Sequence, residues 1–544
     1  MRKVALVTAA LVVAVIFFLL LTLPPRPVRM ASGADPDRAQ RTIAGAYHIH
    51  SNRSDGAADK DAIAAAAERA GLKFIILTDH GDGTRPPDPP AYLHNVLCLD
   101  AVEISTNGGH YVALDMPAAP YPLGGEPDAV VEDVKRLGGF GIVAHPDSPR
   151  PQLAWSDWDA SFDGIEWLSA DSEWRDESRL RLSRALLQYF VRPAPALASL
   201  LDRPVATLAH WDALTGRRRV VGLAGIDAHG GIGRGVEEGG KRRPALGTIP
   251  SYEASFRTFT TRVILDQPPS GDAPSDARSL IASIRSGKVF TVIDALAGPG
   301  FLSVEPDATG QYWVNYAIPD GGELIMVTDG HESRPLQEGQ SGRYRLPDDD
   351  RNAAVVRFEV RVPFAPGTPP VPWLVSNPTY FRLPVREEPA LSRAAAVPLP
   401  PATQWHSEHD SRSTAKLMGL GNQVTLDYTL AAGERRSQFA AAAADIRGRT
   451  PRFNAIVFSG TAAHPARVSV QLRYGDLRWA RSVYIEPTAG EVRVPVDRLV
   501  PADFQRGPAP DTSTADSLLI VADLTNAPPG DSNTVRISNL RLEK

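Results

Sequence analysis

The hydrophobic pattern of this 544-residue chain changes its period once, near residue 300. Before that point, short apolar runs alternate with helix-like segments. Phe74–Leu77, Gly141–Ala144, Gly164–Leu168 and Val220–Gly225 are continuous apolar runs of the kind used by parallel strands buried on both faces. Between them, Lys60–Ala70 puts Ile63, Ala66, Ala67 and Ala70 on one side, and Asp128–Leu137 and Ser178–Phe190 repeat the pattern. Strand–helix alternation from about 43 to 295 predicts an α/β domain resembling a (β/α) barrel. Beyond 300 the period falls to two. Val356, Phe358, Val360 and Val362 alternate with Arg357, Glu359 and Arg361, and Val468, Val470, Leu472 and Tyr474 alternate with Arg467, Ser469, Gln471 and Arg473. Such alternation predicts half-buried antiparallel strands.

The expected organisation is therefore α/β followed by all-β. A barrel at 43–299 leads into a small β-sandwich at 300–389, a Pro/Ala-rich linker at 390–402 and a larger β-sandwich at 403–544. The last has strands of its own and is long enough to bury a core alone. A chain ending near Ala390 is accordingly expected to keep its fold and its chemistry. Proline, at 48 residues, favours loops and short strands over a helical bundle.

At the N-terminus, Arg2 and Lys3 precede an apolar run from Val4 to Leu23, about one hydrocarbon thickness as a helix. Residues 1–29 are expected to form a signal anchor and 30–42 a tether. Positive-inside orientation would then place the rest outside the cytoplasm, with a cleaved secretion signal as the alternative. A formal charge of −5 argues against a nucleic-acid binder working through a general basic field. The single cysteine, Cys98, excludes an internal disulfide and a thiolate-built metal cluster. Any metal must be held by His, Asp and Glu.

Those residue types are placed selectively. His48-Ile49-His50 ends a predicted strand, where residues i and i+2 point to one side, and Ser54-Asp55-Gly56 follows on a turn. Phe74–Leu77 runs into Thr78-Asp79-His80. Glu103 ends another apolar stretch, His110 follows Gly109, and Gly141–Ala144 runs into His145-Pro146. Gly222–Gly225 leads to Asp227-Ala228-His229. All are expected at the C-terminal ends of strands, where barrel enzymes assemble their sites. Asp79 is either an orienting group for a ligand or a helix cap. Arg234, Lys241, Arg242 and Arg243, on a Gly-rich loop, are either a phosphate clamp or a solvated loop. Trp405, Trp479 and Tyr484 are sugar-stacking candidates in the last domain, with core packing favoured. His94 and His210 are assigned to the surface and to a packed helix.

In order and spacing these motifs resemble the PHP (polymerase and histidinol phosphatase) superfamily of metal-dependent hydrolases, over about residues 43–295. Leu280–Val289 and Pro372–Phe381 are similar to its carbaryl-hydrolase-like branch, and the last domain resembles a galactose-binding jelly roll. The resemblance implies a distorted (β/α)7 barrel carrying two or three divalent metals. His48, His50, Glu103 and Asp227 would hold the first, Glu103, His110 and His145 the second, and Asp55, His80 and His229 the third. Nitrogen and oxygen ligands suit Zn, Mn or Fe. A water between metals sharing Glu103 would attack phosphorus or a carbonyl carbon. The expected function is a membrane-anchored phosphoesterase acting on a small-molecule or glycan-linked substrate. The alternatives are a carboxyl or carbamate ester hydrolase on the same site, and a non-catalytic glycan- or partner-binding protein.

Overall fold

The computed structural model describes residues 2–30, 36–231, 236–238, 241–243, 249–338, 341–346, 354–382, 396–399, 403–448, 450–502 and 511–544. It is a mixed helix–strand architecture followed by β structure. The strands that matter for the site are β1 (Thr42–Tyr47), β2 (Phe74–Leu77), β3 (Val96–Asp100), β4 (Val102–Thr106), β5 (Gly109–Leu114), β6 (Phe140–Ala144), β7 (Gly164–Ser169), β8 (Val221–Gly225), β9 (Thr260–Ile264) and β10 (Val289–Val292).

They fall into two sheets. In one, β1, β2 and β3 run parallel, and β9 joins antiparallel to both β1 and β10. In the other, the order is β8-β7-β6-β5-β4, with an antiparallel β4–β5 hairpin. Two isolated parallel bridges, Ile49 with Ala228 and His80 with Glu103, tie the sheets together just where the histidines lie. β2, β6, β7 and β8 are buried at every residue, as continuous apolar runs require.

The helix Lys60–Ala70 forms as its sequence dictates. Asp59 accepts from the Ala62 amide at its start, Gly71 closes it in the left-handed conformation, and Ile63, Ala64, Ala66 and Ala67 are buried. In the helix Pro127–Arg136 the buried stripe includes a carboxylate, Asp133, among Val130, Val131 and Val134.

The region after 300 is not a separate body. The strand Leu374–Ser376 pairs antiparallel with β10, so the sheet that holds β1, β2 and β3 continues through Val355–Arg361 into Glu323–Thr328. One apolar cluster runs from Ile75 and Trp167 through Phe290 to Phe358 and Trp373. The terminal sandwich has two six-stranded antiparallel sheets over its own core, which includes Leu426, Phe458, Val470, Ile520 and Leu542. Within the expected linker, Ala396–Pro398 is a strand paired with the final strand, Ser532–Glu543.

The terminal sandwich is also not an independent appendage. The Arg467 side chain, fully buried, donates to Asp133 from Nε (2.6 Å) and Nη2 (3.1 Å), and to Glu132. Arg481 pairs with Asp128 at 2.5 Å, and the Ser482 amide donates to Glu126. Arg136 stacks on Tyr484, its guanidinium carbon 3.6 Å from the ring centre. Asp133 is buried because an arginine more than 300 residues away in sequence covers it. The expectation that the sandwich can be removed without consequence is revised on this contact.

The N-terminal helix, Arg2–Thr22, ends against the body of the protein. Arg184 (3.0 Å) and Gln188 donate to the Thr22 carbonyl, and Arg192 donates to the Pro24 carbonyl. Among the described residues no helix is long and apolar enough to cross a membrane. This corrects the expectation of a single-pass membrane anchor.

Candidate metal centre

The nine sequence-predicted side chains converge where the two sheets meet. They fall into four overlapping groups: His50 with Asp55, His80 and His229; His48 with Glu103 and His145; His48 with His50 and Asp227; and His80 with Glu103 and His110. Within each group the prospective ligand atoms lie within 4.8 Å of one another. His48, His50, Glu103 and His145 form a buried floor, while Asp55 and His80 open to solvent.

Glu103 is the hub. Its Oε1 lies 2.7 Å from His110 Nδ1 and 3.0 Å from His145 Nε2, and its Oε2 lies 3.4, 3.2 and 3.2 Å from His48, His50 and His80. Asp227 Oδ1 stands 3.1 Å from His50 Nε2 and 3.4 Å from His48 Nε2. Asp55 Oδ2 is 3.3 Å from His229 Nε2 and 3.6 Å from His80 Nε2.

The backbone delivers these groups differently from the sequence expectation. His48 and His50 do not alternate along a strand. β1 ends at Tyr47, and His48 turns into the left-handed region with φ of 65°. His145 and Asp227, likewise just past strand ends, have φ of 28° and 48°. Glu103 and His110 are not past strand ends at all but within the β4–β5 hairpin. Glu103 pairs with Val112 and Ser105 with His110, so residues 103 and 110 share one face.

The surrounding polar groups fix the rings. Glu166, missed in the sequence because it sits inside the apolar run of β7, accepts from His48 Nδ1 at 2.5 Å and from the His145 amide at 2.8 Å. That leaves His48 Nε2 turned to the centre. Gly225 is required beside it, since a Cβ there would stand 2.4 Å from the Glu166 carboxyl carbon. Asp79 caps no helix. It accepts from the Ser51 amide and from the Ser51 and Ser54 hydroxyls at 2.7–2.8 Å, tying down the turn between His50 and Asp55. The Tyr252 hydroxyl lies 2.7 Å from the His50 carbonyl and 3.0 Å from the His229 carbonyl, binding two ligand segments together.

Burial alone would lower the imidazoles and raise the carboxylates, but their mutual attraction outweighs it. Glu166, Asp227 and Glu103 hold His48 well above the ordinary histidine value, and His145 is pushed up to about 9, chiefly by Glu103. His50, His80 and His229 are raised too. Against its burial, Glu103 is held well below the carboxylate range by His48, His110 and His145. Asp227 is lowered by His48, His229 and His50, and Asp55 by His229, His80 and His50. The cluster is built to hold positive charge.

A cavity of about 190 Å³ adjoins it at His80, lined also by Arg53, Asp79, Asp82, Arg85 and Met116. Arg234, a candidate phosphate contact, lies outside the described residues, and the side chains of Lys241, Arg242 and Arg243 are likewise outside them. The aromatic candidates of the last domain are already engaged. Trp405 is buried and donates to the Gly421 carbonyl, Trp479 packs against the sandwich core, and Tyr484 carries Arg136. His94 pairs with Asp61, and His210 stacks on Trp158.

No protein-family model and no curated protein matches the chain. Among solved structures it is similar to a two-domain protein from Bacteroides vulgatus containing a predicted PHP-like metal-dependent phosphoesterase, at 13% identity and a TM-score of 0.30, over 65% of this chain and 99% of that one. It is also similar to the family 11 carbohydrate-binding module of the cellulase Lic26A-Cel5E of Clostridium thermocellum, at 14% identity and a TM-score of 0.21, over 28% of this chain and 96% of that one. At such similarity, function is read from the side chains themselves.

Proposed function

We propose that this chain is a metal-dependent phosphoesterase of PHP type, working through two or three divalent cations on a distorted (β/α)7 barrel. Glu103 carries the reading: five imidazoles stand within 3.4 Å of one buried carboxylate. The donor set fits a cation for a second reason. His48 Nε2, His50 Nε2, Glu103 Oε2, His145 Nδ1 and Asp227 Oδ1 are buried without a hydrogen-bond partner. Buried polar atoms left unpaired are costly, and all five belong to residues of the four groups that could hold a cation. His48, His50, Glu103 and Asp227 would hold one cation, Glu103, His110 and His145 a second, and Asp55, His80 and His229 a third. Zn, Mn and Fe suit these N and O ligands.

Such cations would supply Lewis-acid polarisation of the substrate oxygens and acidify an attacking water. The protein's own groups prepare for that. Glu166 fixes the tautomer of His48, Asp79 holds the turn bearing Asp55, and Tyr252 keeps the His50 and His229 segments in register. Asp55, Glu103 and Asp227, with Glu166 behind His48, supply four carboxylates, so a centre loaded with three dications is net positive and one loaded with two is neutral rather than anionic. That balance favours an anionic phosphate ester over a neutral carboxyl or carbamate ester. The solvent-open side at Asp55 and His80 leads to the cavity beside His80, which offers room for the part of a small substrate that does not react. The domain limits proposed are 43–299 for the barrel, 300–389 for the β extension and 403–544 for the sandwich.

Elemental analysis of the purified protein should find two or three transition metals per chain, with His48→Ala and Asp227→Ala each losing at least one. A chain that neither carries metal nor takes it up after chelation would end the reading. Parallel assays with phosphomonoester, phosphodiester and carboxyl-ester substrates decide the substrate class; turnover of carboxyl esters alone would overturn the phosphate assignment. Glu166→Ala should weaken metal binding by about 10–100-fold, the usual cost of removing a ligand's hydrogen-bond partner. Chelator competition measures it, and unchanged affinity would show that His48 needs no orienting group.

A further inference from the structure

The terminal sandwich touches the barrel at a place connected to the site. Asn526 lies on the loop after the strand Ser517–Asp523 and is buried. Its Nδ2 donates to the Pro122 carbonyl at 3.1 Å and to the Gly124 carbonyl at 3.3 Å, while Ser482 Oγ lies 3.2 Å from its Oδ1. The segment it grips, residues 119–125, is bonded in turn to both ligand-bearing segments on this side of the centre. The Ala119 and Leu123 amides donate to the Gly83 and Asp82 carbonyls, each at 2.8 Å, just after His80. The Gly125 carbonyl accepts from the Asn107 amide, also at 2.8 Å, at the turn between Glu103 and His110. The Gly81 amide completes the circuit by donating to the Glu103 carbonyl.

We infer that the terminal sandwich is part of the frame of the metal centre, and that Asn526 is a positioning residue for His80, Glu103 and His110. The inference rests on the metal reading above. Its physical basis is that a carboxamide with two donors is the only side chain from the sandwich that bonds the 119–125 backbone among the described residues. Segments that lack such a tie still carry their ligands but hold them less sharply, and affinity for the cation falls because ordering is then done at binding. The ion pair Arg481–Asp128 fastens the same domains together without touching 119–125, so it separates docking in general from this contact, whereas the Arg467–Asp133 pair does not, because the Tyr121 hydroxyl of that segment donates to Asp133.

The test uses the full chain and Mn²⁺ as the probe. Asn526→Ala and Asn526→Asp are compared with wild type and with Arg481→Ala, by chelator competition for metal affinity and by hydrogen exchange at the Asn107 and Leu123 amides. The aspartate keeps the shape and loses both donors, so it stands in if the alanine variant folds poorly. Both Asn526 variants should bind Mn²⁺ about 10-fold or more weakly and exchange faster at the two amides, with Arg481→Ala close to wild type. Wild-type affinity in both variants would overturn the inference, as would an equal loss in Arg481→Ala, which would assign the effect to docking alone. A wild-type chain that binds no Mn²⁺ would instead sink the metal reading beneath it.

Discussion

Glu103→Gln should leave a folded chain stripped of metal and of turnover. The amide has the volume of the carboxylate, so the β4–β5 hairpin keeps its packing. It removes the charge that five imidazoles share, and it offers a neutral oxygen where two cations would need an anionic one. The loss should exceed the roughly 10–100-fold cost of removing an outer hydrogen-bond partner, because here the shared ligand itself is lost. Metal content by elemental analysis and steady-state turnover of the best substrate found in the ester assays measure it. Full metal content in the glutamine variant would mean that Glu103 bridges nothing.

The second large effect lies far from the chemistry. Arg467→Ala should destabilise the protein by about 3–5 kcal/mol, the range for removing one partner of a buried ion pair. Most of that cost is the Asp133 carboxylate left behind in an apolar stripe. Arg136 and the Tyr121 hydroxyl, 2.8 and 3.0 Å from Asp133 Oδ1, retain part of its solvation and place the expected value toward the lower end. Denaturant unfolding gives the figure. Asp133→Leu combined with Arg467→Met should recover most of it, since apolar groups of similar volume replace such pairs with little loss. If the single change costs nothing, the sandwich is not held by this contact.

Much of the site was legible because its residues are of a kind that apolar runs do not otherwise contain. A histidine or carboxylate at the end of Phe74–Leu77 or Phe140–Ala144 needs no alignment to stand out. Helix limits were legible where capping is local, as at Asp59 and Gly71. Glu166 was not, because one carboxylate inside β7 looks like an ordinary member of a strand until its partner, His48, is brought from 118 residues away. The placing of Glu103 and His110 was misread because hairpin strands and strand ends share the same short apolar signal. Asp133 and Asn526 were invisible for a different reason. Each takes its meaning from a partner more than 300 residues distant, and no periodicity encodes that distance.

The left-handed turns at His48, His145 and Asp227 give the centre a second kind of selectivity. Aspartate and histidine are among the non-glycine residues that tolerate this conformation best, so one side chain meets the demand of the bend and the demand of the cation together. A β-branched residue at any of the three would meet neither. Glycine would relieve the bend while deleting the ligand. Asp227→Gly should therefore melt later than Asp227→Val in thermal denaturation, with neither able to bind metal normally. Drift toward a sturdier and inert protein is open to this chain at just these three positions, and retaining the ligands means forgoing it.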